Sequence, residues 1–203
     1  MKTFYLLSIM ILLGLVAFGK SNPKTPNAHN QNVLVVGFDR NNLVSNYYGN
    51  DYLSQKNGVH EDSIHYYYFT SICQKLSSLT GVNYKGIDNL QDMGRFHLNI
   101  HVEDQQGNAV NIKESTTNFY TNLLKGYNSE YLLYLRQYQI NWSGEPFNTN
   151  VHLLDYSLFD KNKNEILSGQ IFLDSKDVSP IFSQKHAERQ LKQLVSRIDR
   201  TIN

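Results

Sequence analysis

The stretch "VLVVGF" (Val33 to Phe38) carries no polar side chain. Successive side chains of a strand point to opposite faces, so an unbroken apolar run predicts a strand buried on both sides. "EYLLYLRQYQINW" (130–142) makes the same demand in its first half, which predicts a central place in the sheet. Its far half keeps Tyr138, Ile140 and Trp142 on one face.

Three helices are expected around these strands. The first runs from Glu61 to Leu79, with Gly81 placed to stop it. The second begins at a Ser115 or Thr116 cap and ends near Tyr127, with Phe119, Leu123, Leu124 and Tyr127 inward. The last opens with Ser179 as N-cap and Pro180 in the first turn. Its stripe is Ala187, Leu191, Leu194, Val195, Ile198 and Ile202, and its polar face is mostly Lys and Arg. "FHLNIHVED" and "AVNIKE" predict one hairpin across "QQGN", and "VHLLDYSLFD" and "EILSGQIFL" a second across "KNKN". The segment between Asp39 and Asp62 reads as a long polar loop with aromatic insertions. The expected order is β-α-β-β-α-β-β-β-α: an α/β (or α+β) domain with a single mixed sheet of about five to six strands and two to three packed helices.

The chain of 203 residues opens on a lysine, an apolar run and the small-x-small pattern Ala17-Phe18-Gly19. That is the layout of a secretory signal peptide over residues 1–19, with cleavage after Gly19. An uncleaved anchor is the alternative, although the run is slightly short for a span of roughly 20 residues. Residues 20–32, with two prolines, read as a linker, and residues 33–203 as one domain. With 19 Lys and Arg against 18 Asp and Glu, the charge excess that phosphate neutralisation requires is missing, so no nucleic-acid partner is expected. Cys73 is the sole cysteine, so no intramolecular disulfide forms. Its place on the stripe of Ile64, Phe69, Leu76 and Leu79 predicts a buried structural thiol.

His97 and His101 in "HLNIH" would share a metal on a helix, but on a strand they stand about 13 Å apart. His60 and His65, five apart at a helix start, diverge. No G-x-S-x-G elbow or phosphate-cradling glycine loop occurs. Glu103, Asp104, Asp155 and Asp160 fall at strand ends or turns, where solvated carboxylates are common. No catalytic residue, metal or cofactor is assigned. The candidate ligand-binding residues are Asp39 and Arg40, which end the first strand, and Tyr47 and Tyr48 in the loop beyond it. Open α/β sheets bind ligands at strand ends, and tyrosine offers an apolar ring with a wet hydroxyl, as sugar-binding surfaces use. Tyrosines that only pack helix to sheet are the alternative.

The succession "VLVVGF", "LLKGYNSEYLLYLRQYQI", "VHLLDYSLFDKNKNEILSGQI" and a terminal amphipathic helix resembles a periplasmic α/β module. That module is found in the N-terminal domain of the Tol translocation protein, the curli secretion channel, and the lipoproteins that activate penicillin-binding proteins. Residues 127–133 fill the place of its helix-ending turn, and Leu154-Asp155 through Gly169 that of its aspartate-bearing hairpin. The lipid-bearing cysteine of several of those families is absent, and Val82 to Arg95 has no counterpart. The resemblance implies a non-enzymatic role in envelope assembly.

Three roles therefore stay open for a protein expected in the periplasm or outside the cell. They are an exported binding or assembly module of a bacterial envelope, a glycan-binding protein, and a carbohydrate-active hydrolase with an unrecognised carboxylate site. The partner would be an envelope protein or a cell-wall glycan. No transmembrane span is expected after signal cleavage. An exposed aromatic shelf favours glycan binding, a deep cleft with converging carboxylates the hydrolase, and neither feature the assembly role.

Overall fold

The computed structural model describes residues 32–37, 40–79, 82–87, 99–102, 110–113, 118–180 and 185–203. The leader and nearly all of the linker, Asp39, His97, Glu103, Asp104, Ser115 and Thr116 lie outside them. The fold is α/β, with a mixed six-stranded sheet and four helices. Its strands are β1 (Asn32–Val36), β2 (Leu43–Ser45), β3 (Asn83–Gly86), β6 (Tyr131–Ser143), β7 (Thr149–Phe159) and β8 (Glu165–Ser175). They lie in the order β3-β1-β6-β7-β8, and β2 pairs with the far half of β6. β1 and β2 run parallel to β6, while β7 and β8 continue antiparallel. The first predicted hairpin forms as β4 (Asn99–Val102) and β5 (Val110–Lys113), but as a two-stranded ladder of its own rather than as part of the sheet.

Both apolar runs are covered on two sides, as their patterns require. Val33 and Val35 join a large core against α1 (Asn50–Asn57), α2 (Ile64–Leu79) and α4 (Lys185–Ile202). Leu34, Val36, Leu132 and Phe159 face the other way, toward Tyr120 and Leu124 of α3 (Phe119–Gly126). Gly37 and Gly86 let α2 come close: a Cβ on Gly37 would run into the Phe69 ring, and one on Gly86 would stand 3.0 Å from Cys73 Sγ. Cys73 is half-buried there rather than fully enclosed.

A single irregularity reconciles the two halves of β6. Leu133 and Leu135 face the large core, and so do Tyr138 and Ile140, although the numbering changes from odd to even. The ladder to β7 skips Arg136, pairing Leu135 with Tyr156 and Gln137 with Asp155. This extra residue is a β-bulge, which resets the alternation and turns Gln137 and Gln139 outward. On the opposite edge β1 leaves β6 after Tyr134 and β2 joins it at Tyr138. Both neighbours of β6 thus break step at the same place.

The long polar loop expected after the first strand is corrected here, since it contains β2 and α1. β2 has three residues, too few to show alternation, and α1 offers only Leu53 and Ser54 to the interior. α1 starts at Gly49 without a side-chain cap and stops at Gly58, whose φ of 66° is the left-handed conformation glycine favours. β3, within the segment that had no counterpart, pairs parallel to β1. The cap of α3 is Asn118, at φ 73°. The last helix is described only from Lys185, and the Ser179 hydroxyl donates to Asp177 Oδ1 rather than capping a described helical turn. No helix among the described residues is long and apolar enough to cross a membrane.

α4 seals the large core through Leu191, Leu194, Val195, Ile198 and Ile202. Leu194 is 2% exposed. Its replacement by Ala should cost about 2–5 kcal/mol, a large share of the stability of a domain of this size. Leu194→Asp, which adds an unpaired buried charge, should melt far lower still. Lys192→Ala removes an exposed pair with Glu188 and should leave the melting temperature nearly unchanged. Thermal melts of the three variants check this, and a wild-type melt for Leu194→Asp would mean that α4 does not pack on the sheet.

Candidate functional site

β1 ends at Val36 and a second parallel strand, β2, ends at Ser45, so Arg40 lies between the two strands while the carboxyl end of β2 delivers Tyr47 and Tyr48. Asp39 lies outside the described residues. Ser45 Oγ accepts from the backbone N–H groups of Tyr47 (3.2 Å) and Tyr48 (3.0 Å), which curls the chain over the sheet end. Asn46 Oδ1 accepts from the Trp142 N–H at 2.8 Å, fastening this loop to the last turn of β6.

Four aromatic rings meet there. Tyr48 and Tyr52 stack with centroids 5.0 Å apart and planes within 14°. Tyr47 meets Tyr48 edge-on at 5.0 Å and lies 6.2 Å from Trp142, tilted by 36°. Such separations are those of mutually supporting rings. Tyr47 is 69% exposed and Tyr52 is exposed on the first turn of α1. Phe147, 72% exposed, stands on the turn that joins β6 to β7 just beyond Trp142. The arrangement is a shelf, not a cleft.

The floor of this end is polar. Asn150 and His152 of β7 are both buried, and Asn150 lies opposite Trp142 in the ladder. Burial pushes the Tyr48 phenol up, opposed by a hydrogen bond with the Asn150 side chain. Asn150 Oδ1 is buried with no hydrogen-bond partner among the described residues. His152 Nδ1 lies 2.9 Å from the Tyr138 hydroxyl, and Nε2 lies 3.0 Å from the Asp177 carbonyl. A carbonyl only accepts, so Nε2 carries the proton, and Nδ1 of the neutral ring accepts from Tyr138.

The other expected sites resolve differently. Arg40 opens a 3-10 turn between β1 and β2, and its guanidinium engages Glu61 and Asp62, each at 2.8 Å. It is not joined to the tyrosines. His101 lies on strand β4, and His60 Nδ1 accepts from the Asp62 N–H. Among the described residues no three His, Cys, Asp or Glu side chains cluster closely enough for a metal. Asp155 accepts from Gln170 at 2.7 Å. Burial pushes the Asp160 carboxyl up, but hydrogen bonds from the Asn164 side chain and from the backbone of Asn164 and Asn162 outweigh it and hold the group below the usual range. A hollow of about 600 Å³ beside Leu79 and α4 holds one carboxylate, Asp199. Another of about 570 Å³ between α2 and β3 holds Cys73 and no carboxylate. Sequence reasoning missed Trp142 as a member of the shelf, whereas Tyr52 stands with Tyr47 and Tyr48 in one tyrosine cluster of the sequence.

No family model and no curated protein matches the chain. Among solved structures, the PelC dodecamer from Paraburkholderia phytofirmans is similar over 82% of this chain and 87% of its own, with 9% identity and a TM-score of 0.42. A Xanthomonas campestris protein of the DUF330 family is similar over 87% of this chain and 85% of its own, with 11% identity and a TM-score of 0.40.

Burial lowers the His152 pKa from 6.5 to about 4, against the opposing effects of the Asp177 carbonyl bond and charge. Between those values the unfolded chain binds the extra proton and the folded one does not, so stability rises with pH. The contribution should be complete above pH 6.5 and lost as pH falls through about 4, on the order of 3 kcal/mol in all. Urea melts across this window should show the slope in the native protein and a shallower one in His152→Gln. Equal slopes would place the titration elsewhere.

Proposed function

We propose that this protein is an exported, non-catalytic glycan-binding module of a bacterial envelope. Support for export comes from the leader layout of residues 1–19, and support for the binding mode comes from the shelf. The single observation that carries the reading is the exposed Tyr47 ring braced against Trp142 and against the Tyr48–Tyr52 stack.

A pyranose ring has apolar C–H faces and a rim of hydroxyls. An exposed aromatic face covers the former, while tyrosine hydroxyls and amides serve the latter. Rings fixed by their neighbours lose little conformational freedom on binding, which preserves the gain from stacking. An open shelf accommodates a polymer passing across it, whereas a closed pocket would select an end. The hydrolase reading finds less support, because Asp155 and Asp160 are each engaged by neighbours on their own hairpin. The resemblance to periplasmic assembly modules is compatible with a glycan contact and adds an envelope setting.

Binding to a panel of immobilised polymers (a neutral β-glucan, a uronate polymer and peptidoglycan) tests the proposal. At least one should retain the wild-type protein. Tyr47→Ala and Trp142→Ala should each weaken retention roughly tenfold, about 1.4 kcal/mol, with the fold intact by circular dichroism. Lys125→Ala, an exposed change on α3, should bind as the wild type does. Failure of the wild type to bind any polymer, or indifference of binding to both ring deletions, would sink the proposal.

A further inference from the structure

The six-stranded sheet has two edges, and they are protected very differently. At one end β3 is four residues long and carries Lys85, a short charged edge of the kind that discourages further pairing. At the other end β8 is eleven residues long, with no Lys, Arg or Pro from Glu165 to Ser175. Among the described residues no strand pairs with its outer side. Ser168, Gln170, Phe172 and Asp174 are exposed along it, and Phe172 is 51% exposed. Opposite Tyr156, Gly169 has no side chain, and a Cβ there would stand 2.8 Å from the Tyr156 hydroxyl. The β7 tyrosine reaches across the glycine and stiffens the strand from behind.

We propose that the outer edge of β8 docks a second copy of this chain, antiparallel and centred on Gln170, so that two six-stranded sheets continue as one. The register follows from the sequence of the strand itself. With Gln170 opposite its counterpart, Leu167 faces Leu173 of the second copy, and Gly169 faces Ile171. On the exposed side Ser168 faces Phe172, so each large ring lies beside a small hydroxyl. Asp174 faces Ile166, so no like charges are opposed, which is the condition cross-strand pairs need. The same patch serves both copies, and the two-fold closes the assembly at two chains. Partner N–H and C=O groups pair with the stretch of the edge between Ile166 and Asp174.

Light scattering on the purified full chain should give twice the single-chain mass. Two double variants, Ser168→Lys/Phe172→Lys and Ser168→Glu/Phe172→Glu, change only exposed positions and set like charges face to face. Each alone should run as a monomer with a wild-type circular dichroism spectrum. Mixed in equal amounts they should return to the dimer mass, because each Lys then meets a Glu. A monomeric wild type, a larger assembly, a dimer that survives in either variant, or a mixture that stays monomeric would each overturn the proposal.

Discussion

Everything in this fold turns on the β-bulge at Arg136. Among the described residues β6 is the only strand that touches both the parallel and the antiparallel parts of the sheet, and its two halves carry opposite alternation. Without the extra residue, either Gln137 and Gln139 would face the helices or Leu133 and Leu135 would face away from them. Burying unpaired amides costs on the order of 1–3 kcal/mol each, so the bulge is the cheaper solution. Because the bulge lets Tyr138 and Ile140 stay inward, it also aligns His152 and Asn150 of β7 beneath the same helices. The two amides it turns outward bond each other, Gln139 Nε2 to Gln137 Oε1 at 2.7 Å.

This division explains what could be seen in the sequence. Each half of β6 was legible separately: the first from apolar residues on both faces, the second from Tyr138, Ile140 and Trp142. The change of parity between them was not, because a bulge adds one residue without a composition of its own. α4 was legible because five apolar positions repeat at helical spacing over 18 residues. α1 was not, since one buried leucine in eight residues leaves no periodicity to detect. β2 and β3 are held by ladders to distant strands, so their three and four residues carry almost no local signal.

The candidate site was legible in part for the same reason. Tyr47 and Tyr48 stood out as aromatics in a polar segment, and they form the shelf. Arg40 stood out as a charge at a strand end, and it holds the turn that connects β1 to β2. Trp142, 94 positions beyond Tyr48, enters the shelf only because β2 lies parallel to the far half of β6. Local pattern contains no trace of that pairing.

Arg40 and the shelf are nevertheless linked through backbone geometry. Between Val36 and Leu43 the chain must leave β6 and return to it past the bulge. The Arg40 guanidinium grips Glu61 and Asp62 with separate nitrogens, and those carboxylates stand at the turn that leads into α2. Exposed pairs of this kind add little to stability, but two bonds from one planar group fix orientation. With the turn fixed, β2 rejoins β6 with Leu43 opposite Tyr138, and Asn46 arrives beside Trp142. A shift of one residue in that pairing would exchange Leu43 and Val44 between the core and the open face. Tyr47 and Tyr48 would then leave their places against Trp142 and Asn150. The arginine thus serves the aromatic shelf by holding register, which is why a strand-end charge and a distant set of rings belong to one device.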